Sequence, residues 1–147
     1  MRYIIYWIRW VFGAHTLFSG VNYFFNFFPP PPLEHSPAGP FIAALASVGL
    51  YTFIKVIEVA VGAALLLDVF VPLALLMEFP ITVSIFYLDV IVDHTPRPTF
   101  MGSRELAFNV LLMAAYAGYY WPLLARRAPL REVWGRTAVG AGSVPAP

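Results

Sequence analysis

The sequence contains no cysteine, and this single absence excludes several kinds of chemistry. Without thiols the chain has no disulfide, no catalytic thiolate, no iron–sulfur cluster held by cysteine and no haem attached through cysteine. Histidine is scarce as well, because only three occur and none stands in a spacing such as H-x-x-x-H that suits a metal ion. The sequence therefore predicts no metal site.

Charged side chains are the second shortage. They make up 12% of the 147 residues, whereas 60% are hydrophobic and the mean hydropathy is +0.73. An ordinary soluble domain is about a quarter charged, so this composition excludes that class. It indicates an integral membrane protein surrounded by membrane lipids, and we expect no nucleic acid among its partners. A chain of this length holds about four spans of roughly 20 residues, which predicts a single all-α, integral membrane four-helix bundle.

The hydrophobic runs and the breaks between them predict where the spans lie. Four consecutive prolines mark a loop at residues 29–40, which carries Glu34 and His35. Pro72 suits the first turn of the third helix, and Ser103 suits the N-cap of the fourth. The predicted spans are about 3–28, 41–67, 72–92 and 104–124, so that residues 1–125 form the bundle and residues 126–147 a basic, partly disordered tail.

Lysine and arginine near the ends of the spans predict the orientation in the membrane. Four spans place both termini on one side, where most of the arginines lie. The arginines near the termini are Arg2, Arg126, Arg127, Arg131 and Arg136, and those on the opposite side are Arg97 and Arg104. Because basic flanks stay inside, we predict cytoplasmic N and C termini in a multi-pass protein of a bacterial-type inner membrane.

Lys55 and Glu58 stand within the apolar run of the second predicted span, where an ionisable residue is costly unless it has a function. They are three residues apart, so on a helix both lie on nearly the same side and can neutralise one another. From the helical rise of about 1.5 Å per residue, His15 lies at a similar depth and Glu78 somewhat nearer the cytoplasmic side. These four residues are the predicted ligand-binding or proton-transfer cluster.

Each member of this cluster also has a structural interpretation. Lys55 and Glu58 can form an ion pair that fixes the register of two helices, since polar contacts commonly hold spans together. His15 can pack as a neutral, hydrogen-bonded side chain or transfer protons. Glu78 has no basic residue within one turn, so it needs a partner from another helix or stays protonated.

Other polar residues lie nearer the predicted outer face, and we expect them to line a vestibule that leads to the cluster. In the first span, His15, Ser19, Asn22 and Asn26 follow steps of four, three and four residues, which places them on one helix face. The predicted vestibule residues are Asn22, Asn26, Asp89, Glu105 and Asn109.

Short motifs in the first half of the chain carry a family resemblance. They are R-W-V-F-G from Arg9 to Gly13, F-S-G ending at Gly20, the loop Gly39–Pro40, and E-V-A-V-G from Glu58 to Gly62. These motifs resemble the DoxX-like family of small four-span membrane proteins, which is related to the DoxD subunit of thiosulfate:quinone oxidoreductase and more distantly to SURF4-like cargo receptors. The resemblance implies a four-helix membrane fold and a functional role for Glu58. Tyr23 stands where many members carry a lysine.

Together the residues and the resemblance lead to the hypothesis of a small subunit or accessory of a membrane redox or envelope complex. It would bind a lipophilic molecule such as a quinone beside Glu58, Lys55 and His15, because a quinone head needs polar partners in an apolar pocket. A non-enzymatic assembly, scaffold or cargo-binding protein is the alternative. Proton-coupled small-molecule transport is a third, and it would require an oligomer. We expect other membrane protein subunits or a second copy of the chain as partners.

Overall fold

The computed structural model describes residues 2–29 and 36–124, and the regular structure of these residues is helical, without strands. Glu34, His35 and the predicted tail at residues 126–147 lie outside the described residues. The helices are α1 (Arg2–Phe25), α2 (Gly39–Ser47), α3 (Leu50–Leu67), α4 (Val71–Phe86), α5 (Pro96–Ala115) and α6 (Ala117–Tyr120). A π-helix (Tyr87–Asp93) continues α4, and a 3₁₀ turn (Trp121–Leu124) follows α6. The predicted all-α class is confirmed for this part of the chain.

The four long helices α1, α3, α4 and α5 pack side by side. α1 and α4 each pack against both α3 and α5. At one end of the bundle, the Tyr120 hydroxyl donates to the carbonyl of Pro72 at 2.8 Å. At the other end, the hydroxyls of Tyr23 and Thr52 are 2.7 Å apart. These contacts join the start of one helix to the end of another, as in an up-and-down bundle.

The second predicted span, residues 41–67, differs from the structure because it contains two helices rather than one. α2 ends at Ser47 and α3 begins at Leu50. Between them Gly49 has a φ of +78°, a left-handed conformation that glycine adopts without steric cost. The Gly49 N–H donates to the carbonyl of Ala46 at 3.1 Å, which closes the end of α2. The apolar run therefore bends before α3.

The third predicted span, residues 72–92, falls within the continuous helical segment from Val71 to Asp93. Pro80 lies inside α4 and lacks the N–H that would otherwise reach the carbonyl of Leu76. The side-chain amide of Asn109 in α5 donates to the neighbouring Leu75 carbonyl at 3.4 Å. A polar group from another helix thus lies where the proline weakens the backbone ladder.

The fourth helix begins earlier than predicted, at Pro96 rather than near Arg104, and Ser103 is not its N-cap. Thr95 precedes the helix in an extended conformation. Pro96 then occupies the first turn, where the missing N–H costs nothing because the first N–H groups of a helix have no partner within it. Part of the predicted link between the third and fourth spans is therefore helical.

Glycines bring α1 and α3 into close contact. A Cβ atom added to Gly20 would lie 2.8 Å from the Lys55 carbonyl oxygen, and one added to Gly62 would overlap the backbone of Leu17. Gly13 lies against α3 in the same way. The two helices can pack this tightly only because these positions have no side chain. Apolar side chains extend this contact into the centre of the bundle, among them Phe12, Val61, Leu65, Leu75 and Leu112.

The outward faces of the long helices are largely apolar. Trp7 and Trp10 on α1, Phe53 on α3 and Leu73 on α4 are all more than half exposed, although large apolar patches are uncommon on soluble proteins. By length and composition, the segments Leu50–Leu67 and Val71–Asp93 are suited to crossing a membrane. These two segments weakly support a membrane location, while the four-span topology stays a prediction.

We expect Gly62→Ala to destabilise the bundle by about 1–3 kcal/mol, because α1 and α3 must separate to admit the methyl group. Reversible unfolding in mixed detergent micelles, followed by circular dichroism, measures this change. Gly118→Ala is the matched control, since an added Cβ there meets no atom within 4 Å. Equal stability of the two variants would contradict the proposed role of the glycine contact.

Candidate functional site

Lys55 and Glu58 form a buried ion pair on α3, as their spacing predicts. The Lys55 ammonium donates to both carboxylate oxygens of Glu58 at 2.8 Å, and to the Ser19 hydroxyl of α1 at 3.0 Å. It also lies 5.2 Å from the centre of the Tyr51 ring. Lys55 is 8% exposed and Glu58 3%. All three donors of the ammonium therefore have acceptors, which offsets the cost of burying the charge.

The pair lies at the wall of a cavity of about 460 Å³ between α2, α3 and α4. This volume falls in the range typical of small-molecule sites, which are mostly apolar with a few polar groups. The polar lining residues are Tyr51, Lys55, Glu58, Ser84 and Asp89. The apolar lining residues include Phe41, Leu45, Ile54, Ile81, Ile85 and Leu88. The arrangement suits a lipophilic molecule that carries a polar head.

A second cavity of about 530 Å³ lies beside the first, at the start of α2. The two share Phe41, Ser84 and Leu88 as lining residues. α2 contributes Phe41, Ile42 and Leu45 to the lining of the first cavity, and Gly39 is its one buried residue. A short helix with little buried surface thus forms one wall of the candidate site.

Glu78 does not line either cavity. It points into the bundle from α4, is 3% exposed, and its Oε2 atom has no hydrogen-bond partner among the described residues. It makes no hydrogen bond to the Lys55–Glu58 pair, so its place in the predicted cluster stays a prediction.

His15 makes different contacts from those predicted. It was expected beside Glu58 and Lys55, but its Nε2 atom lies 2.6 Å from Glu105 and 3.2 Å from Arg104. The His15 side chain is 39% exposed and that of Glu105 14%. The polar face of α1 therefore divides, with Ser19 directed to Lys55 and His15 to α5.

The predicted vestibule residues have separate roles. Asn22 holds the end of α1, because its side chain accepts from the Phe28 N–H at 2.8 Å and donates to the Phe28 carbonyl at 2.9 Å. Asn26 has a φ of +52°, a left-handed conformation that asparagine tolerates at helix ends. Asn109 is fully buried against α4, and of the five predicted residues Asp89 is the one that lines the cavity.

Arg9 is a second buried cation that was not predicted as a site residue from the sequence, where it was only the first residue of the R-W-V-F-G motif. Arg9 is 3% exposed and pairs with Asp68 after α3, while its other contacts are the Tyr116 hydroxyl at 3.3 Å and the Tyr6 ring at 5.2 Å. An arginine that lies a third of the way along an apolar helix needs such partners, and this signal was present. Tyr51 and Ser84 were also missed as lining residues.

Comparisons with protein families, with curated proteins and with solved structures found no match. The DoxX-like resemblance therefore stays a prediction. The glycines of its motifs, Gly13, Gly20 and Gly62, meet in the contact between α1 and α3. In residues 2–29 and 36–124, no group of three or more His, Asp or Glu side chains is placed to hold a metal ion.

Removing one member of the buried ion pair should destabilise the protein more than removing both. Glu58→Gln leaves the ammonium of Lys55 buried without its counter-charge, and Lys55→Met leaves the carboxylate, at an expected cost of about 3–5 kcal/mol each. The double variant should recover most of this loss. Unfolding measurements on all four proteins give the coupling free energy between the two residues. Additive losses would show that the pair contributes no coupling.

Proposed function

We propose that the chain is a DoxX-like, four-span protein of a bacterial-type inner membrane that binds a quinone or a similar lipophilic molecule beside Lys55 and Glu58. It would act as a small subunit or accessory of a membrane redox or envelope complex, with cytoplasmic termini. The observation that carries this proposal is the apolar cavity of about 460 Å³ with a buried ion pair in its wall.

Helix packing supports the four-span topology. α3 and α4 are suited to crossing a membrane by composition, α1 is held against α3 by glycine contacts, and α5 runs along α4. Helices in such close contact would share the same depth. Exposed aromatic residues at the end of the bundle that carries Asp68 fit an interfacial belt. These residues are Trp7, Trp10, Tyr119 and Trp121.

The chemistry of the cavity suits a carbonyl-bearing head. A quinone oxygen accepts hydrogen bonds, and the Lys55 ammonium is a donor whose bond to Ser19 can be exchanged for one to the ligand. The Tyr51 ring at the same wall offers an aromatic face. Because the chain has no cysteine and the sequence predicts no metal site, electrons for a redox reaction would come from another subunit.

Engineered cysteines test the topology without labelling of native cysteines, because the chain contains no cysteine. Val69 lies in the link between α3 and α4, and we expect the cysteine of Val69→Cys to be on the cytoplasmic side. Thr95 lies before α5, and we expect the cysteine of Thr95→Cys to be on the outside. A membrane-impermeant maleimide should therefore label Thr95→Cys in intact spheroplasts and Val69→Cys only in inverted vesicles. Labelling of both from the same side would contradict an odd number of crossings between them.

Filling the cavity should weaken ligand binding. Ile81→Trp places an indole in the cavity and should weaken the binding of a radiolabelled short-chain quinone to protein in nanodiscs by about tenfold or more. Leu73→Trp is the matched control, because Leu73 lies on the exposed side of the same helix, α4. Equal binding by the two variants would place the ligand elsewhere. A wild-type protein that binds no quinone would instead favour the assembly or scaffold alternative.

A further inference from the structure

The first cavity is enclosed more tightly on two sides than on the third. α1 packs so closely on α3 that a Cβ atom added to Gly20 would lie 2.8 Å from the Lys55 carbonyl oxygen. α5 packs on α4 in a similar way, because a Cβ atom added to Gly102 would lie 3.3 Å from the Phe86 Cα atom. α2, in contrast, has Gly39 as its one buried residue. A molecule beside Lys55 is therefore least enclosed between α2 and α4.

The second cavity continues this opening towards the surface. It adjoins the first cavity along Phe41, Ser84 and Leu88, which line both. Val83 and Tyr87 line the second cavity alone, and both are exposed on the outside of the bundle. The remaining lining residues are apolar and comprise Pro37, Ala38 and Val92. The two cavities thus form a groove that runs from the ion pair to the outward surface, and we call it the α2–α4 groove.

Hydrogen bonds join the two walls of the α2–α4 groove at one end. The Ser36 hydroxyl donates to the Asp93 carboxylate at 2.7 Å, and the Thr95 hydroxyl donates to the same carboxylate at 2.6 Å. Ser36 directly precedes the lining residue Pro37, and Asp93 directly follows the lining residue Val92. Because the walls are joined at this end, the groove opens sideways from the bundle rather than along the helix axes.

The charges at the wall limit the kind of head group that the groove can hold. Lys55 and Glu58 neutralise one another, and Asp89 adds a further acid to the lining. A phosphate or carboxylate head would lose its solvation here and would meet an ammonium that already has a counter-charge. An uncharged head that accepts a hydrogen bond carries no such cost.

We propose that the site takes a lipid with an uncharged, hydrogen-bond-accepting head and one long hydrocarbon tail. The head lies beside Lys55, and the tail reaches the membrane through the α2–α4 groove. This inference rests on the proposed function and adds to it the class of the ligand and the path of its tail. Hydrocarbon in the groove replaces contacts with equally apolar lipid, so the tail itself adds little affinity. An obstacle in the groove, however, should exclude the tail.

Val83→Trp provides such an obstacle outside the first cavity. Binding to protein in phosphatidylcholine nanodiscs is measured for two radiolabelled quinones with the same ring, one without a side chain and one with a long isoprenoid chain. Val83→Trp should weaken the binding of the long-chain quinone by about tenfold or more and leave that of the other unchanged. Leu73→Trp, on the exposed side of α4, should change neither. An equal effect of Val83→Trp on both quinones, or no effect on either, would overturn the proposed path.

A photoactivatable group locates the tail directly. A long-chain quinone with a diazirine near the start of its isoprenoid chain should label residues 37–41 and 83–92, which mass spectrometry of the digested protein identifies. An excess of the unmodified long-chain quinone should suppress this labelling. Labelling confined to the outward face of α1, around Trp7 and Trp10, would overturn the path without any variant.

The two quinones also separate this inference from the proposed function. A wild-type protein that binds neither overturns both. Binding of the quinone without a side chain, together with exclusion of the long-chain one, would keep the site at the ion pair and overturn the tail path alone. Displacement of the long-chain quinone by phosphatidylglycerol added to the nanodiscs would overturn the assignment of an uncharged head.

Discussion

The close approach of α1 and α3 is the constraint on which the remaining arrangement depends. Because Gly20 has no side chain, the backbone of α1 reaches the Lys55 carbonyl, and this brings Ser19 within 3.0 Å of the Lys55 ammonium. The same contact along the other half of α1 allows Arg9 to reach Asp68 at the end of α3. Two buried cations thus obtain a polar partner across one interface, Ser19 for Lys55 and Asp68 for Arg9.

The cavity lies on the other side of α3 from this tight interface. One side of α3 is filled by α1, and its other side meets α4 and the short helix α2, which the turn at Gly49 separates from α3. A continuous helix from residue 41 to residue 67 would carry the α2 residues away from α4. The bend instead places Phe41 and Leu45 opposite Ile81 and Leu88, around a space that side chains do not fill. The Lys55–Glu58 ion pair therefore lies between the α1–α3 interface and the cavity.

The sequence was sufficient for properties that belong to a single helix. Composition indicated the helical class, and a spacing of three residues indicated the Lys55–Glu58 pair. Periodicity could not show which neighbour a polar face meets, so His15 was assigned to Lys55 and Glu58 rather than Glu105. Proline and glycine were ambiguous signals of helix ends for a similar reason. Pro96 can follow the end of one helix or begin the next, and Gly49 bends the chain only where packing on both sides stabilises the bend.

Glu78 differs in its hydrogen-bond partners from the polar groups that hold the bundle together. Asn22 uses both its oxygen and its nitrogen to end α1, and all three donors of the Lys55 ammonium have acceptors. Among the described residues, Glu78 Oε2 and Asn109 Oδ1 are instead buried without a hydrogen-bond partner. Burying a charged carboxyl group costs free energy unless the group is paired and hydrogen-bonded. The burial of Glu78 therefore carries a cost that the Lys55–Glu58 pair avoids.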